Sequence, residues 1–234
     1  MMIPHFTLPS KPTIKISLKE ATVSDLLDFA DVDPEHEEEV TTLFLNRLQD
    51  KGTFMDSLEW SCEDRRFALF WYWLHTTDDC DVVISYICGH CGEKHTFIQD
   101  YRKLVEHYIT LKGLPERDFE SVGKKYTVKP LTGADMETLE VMRMDGDKRS
   151  AKLTLTLERI SRAAGIPLDV ILALNIKAYR EIASNVEAAL WDMRHGLDAE
   201  QTSLILPPHQ CPVTKEASTR VRVLFRTGDL IPTL

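Results

Sequence analysis

Apolar residues repeat along this chain with two different periods, and the switches between them divide it into segments. Ile14, Ile16 and Leu18 alternate with polar neighbours as in a strand, while Pro4, Pro9 and Pro12 keep helix out of residues 1–18. This stretch reads as an extended N-terminal arm that pairs with an edge of its own sheet, the favoured reading, or with a neighbour's. Residues 22–30 (TVSDLLDFA) read as a short helix. A second is expected from Asp33 at the N-cap and Pro34 in the first turn, through Val40, Leu43, Phe44 and Leu48, to a stop near Gly52. Its acidic start, EHEEE, reads as a solvated helix end. Leu69, Phe70, Trp73 and Leu74 then recur at helical spacing behind a capping-box pair, Ser61 and Asp64, which predicts a buried core helix.

The period falls to two over residues 82–99, which read as a β-hairpin. Residues 100–112 return to helix or a long strand, broken by Gly113 and Pro115. KKYTVK reads as a strand, Pro130 to Gly133 as a turn, Ala134 to about Met144 as a helix, and Asp145-Gly146-Asp147 as a loop. From 150 to 195 the pattern is helical: Leu153, Leu157 and Ile160 make one stripe, Gly165 suits a C-cap, and Pro167 restarts a helix. Residues 201–234 read as loop, strand (Thr219 to Phe225) and loop.

The expected fold is therefore α+β: mostly helical, with short strands at the termini and a hairpin tipped by Cys-x2-Cys, half of a zinc ribbon. Its expected divisions are an arm (1–18), an α+β domain carrying the knuckle (19–145), a helical region (146–200) and a C-terminal strand and tail (201–234).

Composition narrows the function. The 234 residues carry a net charge of -9, and a nucleic-acid binder needs a basic face. The helix pair joined by AAGIPLD offers Asp169, Asn175 and Lys177 but no cationic cluster for phosphates. No apolar run is long enough to span a bilayer, and prolines and lysines occupy the N-terminus where a signal peptide needs an apolar stretch. A cytosolic chain is expected, with Cys62, Cys80, Cys88, Cys91 and Cys211 as reduced thiols or metal ligands.

The chemistry concentrates in ICGHCGEKH, residues 87–95. Cys-x2-Cys with glycine after the second cysteine lets two sulfurs face one point, as a metal knuckle requires. A hairpin turn with free thiols is the nearest rival. A redox pair fits least, because its first cysteine belongs at a helix N-terminus and here strands flank it. Structural zinc takes four ligands. Cys80 lies eight residues before Cys88, on the order of 25 Å along a strand, which places it out of reach. His95 is four residues after Cys91 and feasible; His90 is expected to point outward. The remaining source is remote: His209 and Cys211 in PPHQCPVTKE, a degenerate second knuckle with Thr214 where a cysteine would stand. The candidate ligands are Cys88, Cys91, His95 and Cys211, with His209 as the substitute, around a structural zinc.

His36-x-Glu38 followed by Cys88-x2-Cys91 mimics a zinc-deaminase signature, but Ile87 replaces its proline and a strand, not a helix, surrounds the cysteines. A zinc hydrolase or deaminase using Glu38 is thus the second reading. A zinc-ribbon transcription adaptor is the third, and Asp78, Asp79, Asp81, Glu93 and Asp100 outnumber Lys94, Arg102 and Lys103 around the knuckle, against it.

Leu58 to Leu104 also resembles a family: the baseplate hub and tail-assembly proteins of T-even-type contractile-tailed bacteriophages. The resemblance rests on Asp64-Arg65, the aromatic helix, the strand, Cys88, Cys91 and Gly92, then Asp100 and Leu104. YTVKPLTGADMETLE resembles the strand and helix that follow, and HQCPVTKEASTRVRVLF its second knuckle, less one cysteine. It implies a non-catalytic virion component of the tail baseplate, assembled in the host cytoplasm as part of an oligomer and bound to other tail proteins. The proline-rich arm and the tail RTGDLIPTL would be its docking ends.

Overall fold

The computed structural model describes residues 3–30, 36–107, 115–144, 149–195 and 210–215. The architecture is α+β, as expected: helices together with three separate antiparallel strand pairs. The expected strand at 219–225, the loop at 145–147 and the Asp33-Pro34 helix start lie outside the described residues.

The N-terminal segment is not a free arm. Strands β1 (Phe6–Leu8) and β2 (Lys11–Ile16) pair with each other, Phe6 opposite Ile16. Phe6, Leu8 and Ile16 are buried in the first core. There Phe6 meets the ring of Phe67 edge-on at 5.6 Å. The β1–β2 turn is tied down by Asp64, whose carboxylate accepts from both the N–H and the hydroxyl of Ser10. The favoured reading of this stretch, a strand paired within its own chain, is what the structure shows.

That core is organised by the helices α1 (Val23–Ala30), α2 (Glu37–Leu48) and α3 (Cys62–Thr76). Ser61 caps α3 by accepting from the Asp64 N–H, as its spacing with Asp64 predicts. α3 is apolar on most of its circumference because it is covered on several sides. The β1–β2 pair lies on Phe67, Phe44 of α2 lies 5.0 Å from Tyr72, and Tyr101 lies 6.4 Å from Phe70. Between α1 and α2 the buried Asp25 carboxylate accepts from the Thr22 N–H and hydroxyl and from Arg47. These bonds, the Thr22 N–H foremost, hold it well below the usual carboxylate range against the opposing effect of burial.

A second core begins after the 3₁₀ segment Tyr101–His107. Strands β5 (Arg117–Ser121) and β6 (Lys124–Val128) turn through Val122 and Gly123, both at positive φ. They join the helices α4 (Gly133–Met144), α5 (Arg149–Ala164), α6 (Leu168–Leu172) and α7 (Ile176–His195) around Val128, Leu139, Ile160, Ile182 and Val186. The change of core thus falls between residues 107 and 117. The division expected at 145–146 cuts through one packed unit, because α4 looked like a continuation of what precedes it while its Leu139 packs with α5 and α7. β5 was unanticipated, since Phe119 is the one apolar residue in RDFES.

The two cores meet around Arg65. Its side chain is 2% exposed, and Nη2 donates to the Glu38 carbonyl at 2.7 Å and to Thr42 Oγ1 at 3.0 Å. Glu38, expected in a solvated helix end, instead pairs with this guanidinium, and burial pushes its carboxyl up. Backbone bonds from Cys62 N–H to Leu131 O and from Gly133 N–H to Trp60 O stitch the same seam at 2.9 and 3.0 Å.

Arg65 lies directly on Gly133, where an added Cβ would sit 2.0 Å from Nη1 and 2.7 Å from the Ser57 carbonyl. Gly133→Ala should therefore destabilise by about 1–3 kcal/mol, the usual cost of overpacking, read as a lower urea midpoint; an unchanged midpoint would refute the close fit. Removing residues 1–12 strips Phe6 and Leu8 from the first core and should yield insoluble or unfolded chain, whereas a soluble product with unchanged circular dichroism would restore the free-arm reading.

Candidate metal centre

Strands β3 (Asp81–Ile87) and β4 (Lys94–Asp100) pair in unbroken register from Asp81 opposite Asp100 to Ile87 opposite Lys94. Strand period two sends Val82, Ile84 and Phe97 inward against the first core and leaves Val83, Ile87 and Ile98 exposed. The same alternation places Tyr86 and Cys88 on the inner side, with His95 directly across from Tyr86.

Residues 88–93 join the strands. Cys88 N–H donates to Glu93 O, and Gly92 N–H donates back to Cys88 O, both at 2.9 Å. Gly92 sits at φ +74°, a conformation that side chains with a Cβ rarely adopt. The curl turns Cys91 toward the inner face, where its Sγ lies 3.1 Å from His95 Nε2.

The fourth donor comes from far along the chain. Cys211 is fully buried beside Cys88 and Tyr86. Its own turn repeats the first: Lys215 N–H donates to Cys211 O at 2.9 Å, and Lys215 takes φ +63°. Thr214 stands where Cys91 stands in the first knuckle, and its N–H donates to Cys211 Sγ at 3.4 Å. The second knuckle thus keeps the backbone of the first while one sulfur is replaced by a hydroxyl. His95 brings the number of donors back to four.

The donor atoms of Cys88, Cys91, His95 and Cys211 all lie within 4.8 Å of one another. All three cysteines are free thiols, Cys88 and Cys211 buried and Cys91 half-buried. Tetrahedral zinc with bonds of ~2.3 Å to sulfur spaces its ligands by somewhat less than that, so small movements close the shell. Three sulfurs and an imidazole form a soft set suited to zinc, and no carboxylate belongs to the group. The four residues together can bind a metal ion.

The other candidates lie elsewhere. Cys80 is buried at the base of β3, with its Sγ toward the carbonyls of Leu74 and Thr77. His90 is exposed on the turn, and His209 is outside the described residues. Glu38, the general base of the deaminase reading, is at the junction of the cores against Arg65, and its N–H donates to Glu140. Sequence reasoning missed Tyr86 and Phe97, whose rings, 5.8 Å apart, wall the site. Their inward period-two positions were the available signal.

The thiols are poised unequally. Hydrogen bonding from the Thr214 side chain and then its N–H lowers Cys211 from 9.0 to about 6, against the opposing effect of burial. For Cys91 the Glu93 N–H pulls down, but burial and the sulfurs of Cys211 and Cys88 outweigh it and push the thiol up. No protein-family model, curated protein or solved structure matches the chain.

A depressed thiol stabilises the fold where it is ionised. In metal-free protein the Cys211 contribution should be complete above pH 9 and disappear as pH falls through about 6. Ultraviolet thiolate absorbance should accordingly show a step near pH 6 that Cys211→Ser removes; a first thiolate step only above pH 8 would contradict the assigned geometry.

Proposed function

We propose that Cys88, Cys91, His95 and Cys211 hold one structural zinc ion, and that the protein works by shape and contact rather than catalysis. The observation that carries this reading is the closed donor set: four protein ligands converge and no general base stands among them. Catalytic zinc keeps an open coordination position beside an acid or base, whereas a four-ligand set leaves none. Structural zinc binding is worth about 10–16 kcal/mol in small zinc-folded peptides and is gained only in the folded state. Here that energy would fasten the β3–β4 turn to the Cys211 knuckle.

The reading by contact draws on the outer face of the same hairpin. Val83, Ile87 and Ile98 are 65, 74 and 69% exposed along one side of a two-stranded sheet. Apolar side chains lined up on a braced surface element suit a protein–protein interface. With the resemblance of Leu58 to Leu104 to baseplate hub and tail-assembly proteins, this supports a structural or assembly component of a contractile phage tail baseplate, residing in the virion and bound to other tail proteins. Disrupting its gene in the phage should leave particles with incomplete baseplates by electron microscopy; intact, infectious particles would reject that assignment.

The zinc reading is tested directly. Native mass spectrometry of purified chain should find one zinc, and cobalt in its place should show the intense visible bands of a tetrahedral thiolate site. Cys88→Ser should lose the metal and reduce soluble yield. Metal-free wild-type protein with an ordered hairpin, or a fully soluble, wild-type-like Cys88→Ser variant, would overturn it.

A further inference from the structure

The outer face of the β3–β4 hairpin is polarised along its length. Strand alternation puts four cross-strand pairs on it: Asp81 with Asp100, Val83 with Ile98, Ser85 with Thr96, and Ile87 with Lys94. Acids therefore stand at the base and Lys94 at the turn end, with the exposed Val83, Ile87 and Ile98 along the stretch they bound. In the middle, Ser85 Oγ and Thr96 Oγ1 lie 3.1 Å apart and bond each other, which lowers the cost of covering them. The charges at the two ends are held differently. Asp100 accepts from Arg102 at 2.9 Å. Asp81 and Lys94 are exposed, and among the described residues neither side chain forms an ion pair. Glu93 precedes Lys94 but belongs to the turn, outside the ladder.

A face of this kind is complementary to a copy of itself turned end for end. With two hairpins laid antiparallel, face to face, about a two-fold axis through the Ser85–Thr96 row, Ile87 of each lies over Val83 of the other. Lys94 runs its apolar stem along Ile98 and brings its ammonium to the acidic end at Asp81. Parallel stacking would instead set the acids of both copies together, so the charges select the antiparallel arrangement. We infer that the chain forms a face-to-face dimer through the outer surfaces of two β3–β4 hairpins, held by Val83, Ile87 and Ile98 and aligned by Asp81 against Lys94. The inference rests on the reading by contact above and names the partner as a second copy of this chain. Two strands of seven residues offer an area at the low end for specific contacts, so the dimer is weak and forms as concentration rises. Copies fixed side by side in an assembly would supply that concentration.

Sedimentation equilibrium of the full chain, from micromolar to millimolar concentration, tests this. Wild-type protein should pass from monomer to dimer. Ile98→Lys should raise the dissociation constant by about tenfold or more, the loss expected when an apolar side chain of each copy goes unburied. Lys94→Glu should weaken association as well, and Asp81→Lys added to it should restore it. All three positions are exposed, so the variants should keep wild-type circular dichroism. A wild type that stays monomeric throughout overturns the inference, as does a dimer that Ile98→Lys leaves intact or a charge exchange that restores nothing. Phage carrying Ile98→Lys in the gene separate this from the reading by contact. Incomplete baseplates beside a monomeric wild type would keep that reading and reject the dimer. Intact particles would reject this face as a working contact, and the dimer with it.

Discussion

One guanidinium sets the frame in which everything else is placed. Arg65 is taken out of water between the two cores, and among the described residues Nη2 alone carries its hydrogen bonds, while Nε and Nη1 have none. Burying a cation this way costs several kcal/mol unless opposite charge stands close by. Burial lowers its proton affinity, and Glu38 and Glu137 act against that. The same acids belong to the helices being joined, Glu38 to α2 and Glu137 to α4, so the compensation for Arg65 is also the seam between the cores. Gly133 follows from this placement: α4 can start against Arg65 only where no side chain intervenes.

The hairpin occupies a different regime. It hangs from the first core by Val82, Ile84 and Phe97, and beyond them apolar packing thins to Tyr86 and a few sulfurs. Two strands alone are marginal in water. With Val83, Ile87 and Ile98 turned outward, the hairpin lacks packing on that face, and a metal held by the four converging donors would be suited to brace it.

The sequence made the local patterns legible and left the long-range partners largely hidden. The helix around Leu69 to Leu74, its Ser61 cap, the 82–99 hairpin and the Gly165 stop were visible because each is decided by spacing within a few residues. Cys88 and Cys91 share one turn and His95 follows in the next strand, so their convergence could be reasoned out from strand geometry. Cys211 was reachable only as a second knuckle that had lost a cysteine. Nothing local showed that its backbone would keep the form of the first. Arg65 was hidden for a different reason: an arginine in a helix reads as surface, and its burial depends on Glu38, Thr42 and Gly133 arriving from two other segments. β5 was missed because RDFES owes its strand state to pairing with β6 rather than to its own composition.

The change from sulfur to hydroxyl at Thr214 has an electrostatic logic of its own. Zinc with four thiolates carries two net negative charges, and with three thiolates and a neutral imidazole only one. Glu93 stands in the same turn, in a protein of net charge -9, while Asp81 and Asp100 face each other at the far end of the hairpin. A fourth thiolate close to three others would add like charge, whereas a neutral imidazole ligand adds none. Thr214 stays in the knuckle as a donor, and its N–H and hydroxyl help to hold Cys211 in the thiolate form that a metal requires. The two positions therefore differ in what they offer: His95 presents a fourth donor atom and Thr214 supplies hydrogen bonds to Cys211.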